Sequence, residues 1–301
     1  MAARGGVGGS PPVRMLKGAA VVVVYALGCA LAYGLSDFVG GLLARRISAW
    51  QVAVVAQAAA AVLTLMLAVV VGGTPDPSDW AWSVWGGIGG GAGAGFLYRG
   101  LSGGSMSVVA PISALLAALV PVAAGVATGE RPAALTWLGV GCALPAIWLV
   151  SRVVDDPAAG RSARRRRDDV VDGILAGLGF GVLFASLGQV PAAAGFGPLT
   201  LTHAVGCLTT IVLGMALGAP WVPRERTAAG GAVVGGLAMV ATVLFLLATQ
   251  TGLLTVAAVL AALYPASTVL LAATVLHERI NRGQGAGLAL AAMAVALVAA
   301  G

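Results

Sequence analysis

Residues 252–287 read GLLTVAAVLAALYPASTVLLAATVLHERINRGQGAG, an apolar run that is interrupted by a short polar segment and then resumes. The pattern has an earlier copy at residues 104–139, which read GSMSVVAPISALLAALVPVAAGVATGERPAALTWLG. An offset of 148 residues places Glu278-Arg279 on an identical pair and also aligns the glycines at both ends of the two copies. We therefore predict that this chain of 301 residues consists of two copies of one unit.

The composition places both copies in a membrane. Hydrophobic residues make up 59% of the chain and charged residues 9%, and the mean hydropathy is +0.98. Too few polar side chains remain to cover a water-soluble domain. A spanning helix needs about 20 mostly apolar residues, and the apolar runs of this chain have that length. The sequence therefore predicts an all-α, polytopic membrane protein.

Ten apolar stretches have the length of a transmembrane helix. Because five helices per copy is an odd number, the second copy must insert upside down relative to the first, as in the inverted repeats of secondary transporters. We predict a flexible N-terminal tail (1–17), a first repeat (18–152), a basic linker (153–169) and a second repeat (170–301). The predicted helices cover about residues 18–41, 48–71, 80–101, 105–128, 133–152, 170–190, 198–219, 227–248, 253–276 and 283–300.

The third predicted helix is unusually rich in glycine. Seven glycines lie between Gly86 and Gly95, both included. The segment lacks the Gly-Lys-Ser/Thr ending and the preceding strand of a phosphate-binding loop. Small residues let helix backbones approach closely in lipid, so we predict tight helix packing here.

The chain also carries a series of short motifs in a fixed order. They are Tyr98-Arg99-Gly100-Leu101, Ser107-Val108-Val109-Ala110-Pro111, Gly129-Glu130-Arg131, Tyr264-Pro265 and His277-Glu278-Arg279, followed by a last helix that contains several glycines. The series resembles the EamA-type, ten-helix members of the drug/metabolite transporter superfamily over nearly all of residues 18–300. The resemblance implies a secondary transporter that exports amino acids, metabolites or drugs by alternating access. We expect the solute and membrane lipids as partners, and no cofactor, no nucleic-acid partner and no enzymatic activity.

The distribution of Lys and Arg predicts an orientation in the cell membrane. Thirteen of these residues lie on the side that holds the linker, and four lie on the side of the N-terminus. The positive-inside rule then places the linker in the cytoplasm and both termini outside. The resemblance implies the opposite orientation, with both termini inside, and the sequence leaves the two alternatives open.

Few polar side chains lie at membrane depth, where a charge without a partner costs roughly 2.5–3.5 kcal/mol. One of them is a histidine near the start of the seventh helix, whose ordinary pKa of about 6.5 suits proton exchange. A glutamine takes nearly the same place in the second helix at an offset of 146 residues, and such paired positions mark a binding site at the midplane. The alternatives are a histidine with a structural role and tyrosines that only anchor helix ends. The predicted solute-binding residues are Tyr33, Gln57, Tyr98, His203 and Tyr264.

Two charged residues near the ends of odd-numbered helices are predicted to serve in coupling or gating, together with His203. Asp37 and Arg99 both lie near the far ends of their helices, hence on the same side of the membrane, so they can pair. The alternative is that both are solvated in the interfacial layer.

The duplicated Glu-Arg pairs are predicted to have a structural role. Glu130-Arg131 and Glu278-Arg279 each precede the last helix of their copy. A carboxylate near a helix N-terminus gains roughly 0.3–1 kcal/mol from the exposed amides. We therefore expect these glutamates to cap or brace a helix turn.

One acidic pattern supports a rival function. Asp168, Asp169 and Asp172 form the Asp-Asp-x-x-Asp pattern with which some isoprenoid enzymes hold magnesium and diphosphate. This favours an intramembrane enzyme acting on a lipid-linked or isoprenoid substrate, but the second acidic motif of such a site is missing. We predict a solvated, inert segment here, because these aspartates lie beside four arginines at a helix entrance. We also expect no histidine-based metal site, since the chain has only two histidines. A third alternative is a membrane scaffold that transports nothing.

Overall fold

A computed structural model describes residues 11–102, 106–151, 163–275 and 281–300. These residues form eleven α-helices and two short 3-10 turns, and none of the described residues forms a β-strand, which confirms the predicted all-α fold. The helices are α1 (Pro11–Ala44), α2 (Ala49–Val71), α3 (Pro77–Ser102), α4 (Met106–Ala127), α5 (Ala134–Ser151), α6 (Ala163–Leu187), α7 (Gly197–Ala216), α8 (Gly231–Thr251), α9 (Leu254–Ala261), α10 (Tyr264–Val275) and α11 (Arg282–Ala300).

The helices account for ten membrane crossings. Eight stretches of the described chain are long and apolar enough to span a membrane, and one of them, Leu254–Leu271, contains α9 and most of α10. A shorter apolar helix at Ala134–Val150 lies within α5. The tenth crossing is α3, whose glycines lower its hydropathy. The chain is therefore a polytopic membrane protein, as predicted.

Three helix boundaries differ from the predicted ones. Helix α1 begins at Pro11, inside the predicted tail, because proline fits the first turn of a helix. Helix α6 begins at Ala163, inside the predicted linker, because alanine and arginine are strong helix formers. The predicted ninth helix is divided into α9 and α10 just before Pro265, which cannot donate a backbone hydrogen bond. The rest of the predicted tail and most of the linker lie outside the described residues.

Each helix of the first repeat packs mainly against helices of the second. Helix α1 contacts α8, α9 and α10, α2 contacts α7 and α8, α3 contacts α6 and α7, α4 contacts α6 and α9, and α5 contacts α11. In the two repeats, α1 corresponds to α6, α2 to α7 and α3 to α8. When each helix is replaced by its counterpart, the contact between α1 and α8 becomes the contact between α6 and α3. The same exchange converts the contact between α2 and α8 into the one between α7 and α3. The packing thus has the pseudo-two-fold relation that an inverted repeat requires.

The glycines of α3 allow it to pack closely against α6 and α7. A Cβ atom built on Gly89 would lie 2.5 Å from the carbonyl oxygen of Gly179 on α6, and one built on Gly91 would overlap the backbone of Gly206 on α7. A Cβ on Gly93 would lie 2.9 Å from the ring of Phe180. The glycine-rich segment is therefore a packing surface, as predicted from the sequence.

We expect Gly89→Ala to lower the free energy of unfolding by about 1–3 kcal/mol, because the added methyl group overpacks the contact between α3 and α6. Gly141→Ala is the matched control, since no atom lies within 4 Å of a Cβ built at this helical position in α5. That substitution is expected to be neutral or to stabilise by up to about 1 kcal/mol through helix propensity. Thermal unfolding of the purified variants in detergent measures both effects, and equal shifts would contradict this account.

The outer surface of the bundle suits a lipid environment. Val69 and Val70 on α2 are 77% and 83% exposed, and Trp82 and Trp137, near the first turns of α3 and α5, are also exposed. Tryptophan is enriched at the level of lipid headgroups, where its ring is apolar and its N–H can reach water. These positions therefore mark the two helix ends that enter the membrane from the same side.

Candidate solute-binding site

A cavity lies between the first three helices of one repeat and the first three helices of the other. Its volume is about 40 Å³, which holds a few water molecules. Pockets for drug-sized ligands measure roughly 300–1,000 Å³, so such a solute can enter only if the helices move apart. The polar residues that line the cavity are Tyr33, Ser36, Asp37, Gln57, Tyr98, Thr202, His203 and Thr242.

His203 connects three helices within this cavity. Its Nδ1 atom lies 2.9 Å from Oε1 of Gln57 on α2, and its Nε2 atom lies 3.1 Å from the hydroxyl oxygen of Thr242 on α8. In the neutral ring, Nδ1–H donates to Gln57 and Nε2 accepts from Thr242. In the imidazolium, both nitrogens donate, and the Thr242 hydroxyl donates to the carbonyl of Ala238 at 3.0 Å. The network therefore accommodates both protonation states of His203, and it joins the two positions that the sequence paired.

Two predicted tyrosines place their rings at the cavity wall. Tyr33 is 8% exposed, and its hydroxyl has no hydrogen-bond partner among the described residues. A buried hydroxyl without a partner costs about 1–3 kcal/mol, so this group is available to a solute or to water. Tyr98 lies against α1 at Gly40, where a Cβ atom would be 2.7 Å from the tyrosine ring. Glycine at position 40 therefore makes the space that Tyr98 occupies.

Tyr264 lies behind the cavity and is not among its lining residues. It begins α10, directly after the break in the ninth crossing, and its ring centroid is 6.5 Å from that of Tyr33. Its hydroxyl lies 3.4 Å from the hydroxyl of Ser113 on α4, and its carbonyl accepts a hydrogen bond from Thr268 at 3.2 Å. The break directs the ring towards α4, so Tyr264 supports Tyr33 instead of lining the cavity as predicted.

Asp37 is one of the residues that line the cavity. The residue is buried, with 9% of its surface exposed. The neighbouring Ser36 donates a hydrogen bond to the carbonyl of Val234 at 3.1 Å and so fixes this turn of α1 against α8. The carboxylate itself forms neither a hydrogen bond nor a salt bridge with another described residue.

The predicted pairing of Asp37 with Arg99 is not observed, because Arg99 pairs with Asp172 on α6. The Nε atom of Arg99 lies 3.0 and 3.1 Å from the two carboxylate oxygens of Asp172, and Nη2 also contacts Oδ1. The guanidinium lies 4.7 Å from the centre of the Phe96 ring. In this ion pair, two nitrogens of the guanidinium contact one carboxylate. The pair joins the repeats on the side of the linker and keeps Arg99 out of the cavity lining.

The acidic pattern that begins at Asp168 is not a solvated loop, contrary to the sequence prediction. It lies in the first turns of α6, where Asp169 and Asp172 are buried and only Asp168 is exposed. Helix α6 begins earlier than predicted, so Asp168 and Asp169 are helical, and its packing against α3 places Asp172 beside Arg99. Among the described residues, no group of three or more His, Cys, Asp or Glu side chains is arranged to hold a metal ion.

Glu130 caps a helix of the opposite repeat. One of its carboxylate oxygens accepts a hydrogen bond from the backbone N–H of Leu254 at 2.5 Å, and the other accepts from the N–H of Thr255 at 2.9 Å and from its hydroxyl at 2.6 Å. The capped helix is α9, 124 residues further along the chain. Arg131 is exposed. Glu278 and Arg279 lie outside the described residues.

Comparison with known proteins relates the first repeat to one family. Residues 20–152 match the model of the EamA-like transporter family. This part of the chain is therefore similar to the EamA-like transporter family. A search of the curated proteins found no matching sequence. A solved crystal structure superposes with a TM-score of 0.65 and 15% sequence identity, over 93% of this chain and 96% of its own length. That likeness extends the fold across both repeats.

The first repeat contributes Tyr33, Asp37, Gln57 and Tyr98 to the cavity, and the second repeat contributes His203. The sequence did not indicate Ser36, Thr202 or Thr242, because a hydroxyl in a membrane helix usually bonds to its own backbone. Thr202 shows this behaviour, since its hydroxyl donates to the carbonyl of Pro198. Its side chain nevertheless lines the cavity.

Proposed function

We propose that this EamA-like membrane protein is a secondary transporter that exports small organic solutes by alternating access, and that the solute binds in the cavity around His203. The observation that carries the proposal is the position of the cavity between corresponding helices of the two repeats. Substrate sites of repeat-built transporters lie near the midplane at the interface of their repeats. Amino acids, metabolites and drugs are the candidate solutes.

The contacts at the two ends of the bundle support alternating access. Arg99 and Asp172 join the repeats at the end that carries the linker, and Glu130 joins them at the opposite end. At that opposite end, the N–H of Thr74 also donates to the carbonyl of Ala193 at 2.8 Å. We infer that these polar contacts open in turn, so that the cavity is exposed to one side of the membrane at a time.

We also propose that the protein resides in the cell membrane with its linker in the cytoplasm. The support is the excess of Lys and Arg on the linker side, with thirteen residues against four. In this orientation, the end that holds Arg99 and Asp172 faces the cytoplasm, so it forms the entry for an exported solute.

His203→Ala is expected to lower the initial rate of solute flux about 10-fold or more, because the substitution removes two hydrogen bonds inside the cavity and leaves Gln57 without its partner. Flux is measured in proteoliposomes across a panel of amino acids, amines and cationic drugs. The control is Thr274→Val, since Thr274 is exposed and its hydroxyl bonds only to carbonyls of its own helix. Unchanged flux in a correctly inserted His203→Ala variant would show that the solute binds outside this cavity.

A further inference from the structure

Asp37 is the only formally charged side chain among the described residues that line the cavity. It is buried, and no Lys or Arg of the described chain forms a salt bridge with it. Arg99, which follows the cavity residue Tyr98, has its guanidinium committed to Asp172. None of the described residues therefore supplies a cation that would balance this carboxylate in the solute cavity.

A carboxylate at membrane depth is stable only when it is protonated or paired with a cation. We propose that the solute supplies this cation: the cavity binds a small organic amine as its ammonium ion, with the ammonium group on the carboxylate of Asp37. This inference rests on the proposed transport function and names the class of its substrate.

The hydroxyl of Tyr33 provides a second, independent indication. This side chain is more than nine-tenths buried and lines the same cavity, and its hydroxyl has no partner among the described residues. An ammonium group carries several N–H donors, so it can donate to the Tyr33 oxygen and to Asp37 together. The rings of Tyr98 and Phe180 also line the cavity, and aromatic faces attract ammonium ions.

The same lining disfavours solutes that carry a carboxylate of their own. An amino acid would bring its negative group into a cavity whose described lining holds no Lys or Arg. Both ring nitrogens of His203 are already engaged by Gln57 and Thr242, so neither is free to bind an anion. Simple amines should therefore bind more tightly than amino acids of the same shape, and organic acids should bind least.

The test is isothermal titration calorimetry on the purified full-length protein in detergent, with phenethylamine, L-phenylalanine and hydrocinnamate as probes that share one phenyl group. We expect phenethylamine to bind at least about 10-fold more tightly than either other probe. Asp37→Asn should weaken its binding about 10-fold or more, and Tyr33→Phe should weaken it about 3- to 10-fold. Asp168→Asn, which removes an exposed aspartate outside the cavity, should bind as the native protein does.

If Asp37→Asn does not fold, the native protein still provides a test, because the order of its affinities for the three probes reports the substrate class directly. Asp37→Glu then serves as the second variant, and it should retain the preference for phenethylamine. Binding of L-phenylalanine as tight as that of phenethylamine, or no binding of phenethylamine, overturns the amine assignment. Transport of a neutral solute in proteoliposomes would leave the proposed transport function standing in that case. Amine binding without flux of any solute would instead overturn the transport function alone.

Discussion

Arg99→Ala is expected to lower the free energy of unfolding by about 3 kcal/mol. The substitution leaves the carboxylate of Asp172 unpaired, and this side chain is 7% exposed. Removing one partner of a buried ion pair typically costs about 3–5 kcal/mol, because the remaining charge stays desolvated. The value expected here lies at the low end, since the guanidinium that is removed is itself 35% exposed.

The two members of this ion pair should differ in the cost of their removal. Asp172→Asn leaves Arg99 near the surface, where water solvates the guanidinium, so the expected loss is only about 1 kcal/mol. Replacing both residues by apolar ones, as in Arg99→Met with Asp172→Leu, should recover much of the stability, because no buried charge remains. Unfolding in detergent, followed by circular dichroism, gives the order of the three variants. A larger loss for Asp172→Asn than for Arg99→Ala would contradict the geometry.

Glu130→Ala is expected to lower the free energy of unfolding by about 2 kcal/mol. The carboxylate accepts three hydrogen bonds from Leu254 and Thr255, and these satisfy the first free N–H groups of α9. Loss of an N-terminal cap costs about 0.5–2 kcal/mol, and the upper value applies here because the contact also joins the two repeats. The same unfolding assay measures the effect.

Two further substitutions serve as references for the loss of stability expected in Glu130→Ala. Glu225→Ala removes an exposed glutamate from a loop and should leave the stability within about 0.5 kcal/mol of the native value. Thr255→Val removes one of the three hydrogen bonds and keeps the side-chain volume, so its cost should be about 1 kcal/mol. If Glu130→Ala unfolds at the same temperature as the native protein while Thr255→Val unfolds at a lower temperature, the cap of α9 is formed by a group other than Glu130.

The crossings of the membrane could be predicted because they depend on local properties of the chain. Length and hydropathy mark a spanning helix without reference to its neighbours, and the aligned Glu-Arg pairs revealed the duplication. Gln57 and His203 could be paired for a related reason. A polar side chain within an apolar helix needs a partner, and the repeat places the two residues at corresponding positions.

The partners of Arg99 and Asp37 could not be predicted, because they depend on the rotation of each helix about its own axis. The sequence shows at which end of a helix a residue lies but not which neighbour it faces. Asp172 is 73 residues away from Arg99 along the chain and faces it because of the way α6 packs against α3. Pro265 signalled a local disturbance, but whether the ring of Tyr264 faces the cavity or α4 depends on tertiary packing.

The preference of each helix for the opposite repeat has a consequence for biosynthesis. The first five helices leave the ribosome before their main neighbours exist, so the glycine face of α3 and the side chain of Arg99 enter the membrane without partners. A nascent chain that ends in the linker would leave these same surfaces without the contacts that α6 and α7 provide. Assembly of this protein therefore waits for its second half, because α3 finds its main neighbours only when α6 and α7 are made.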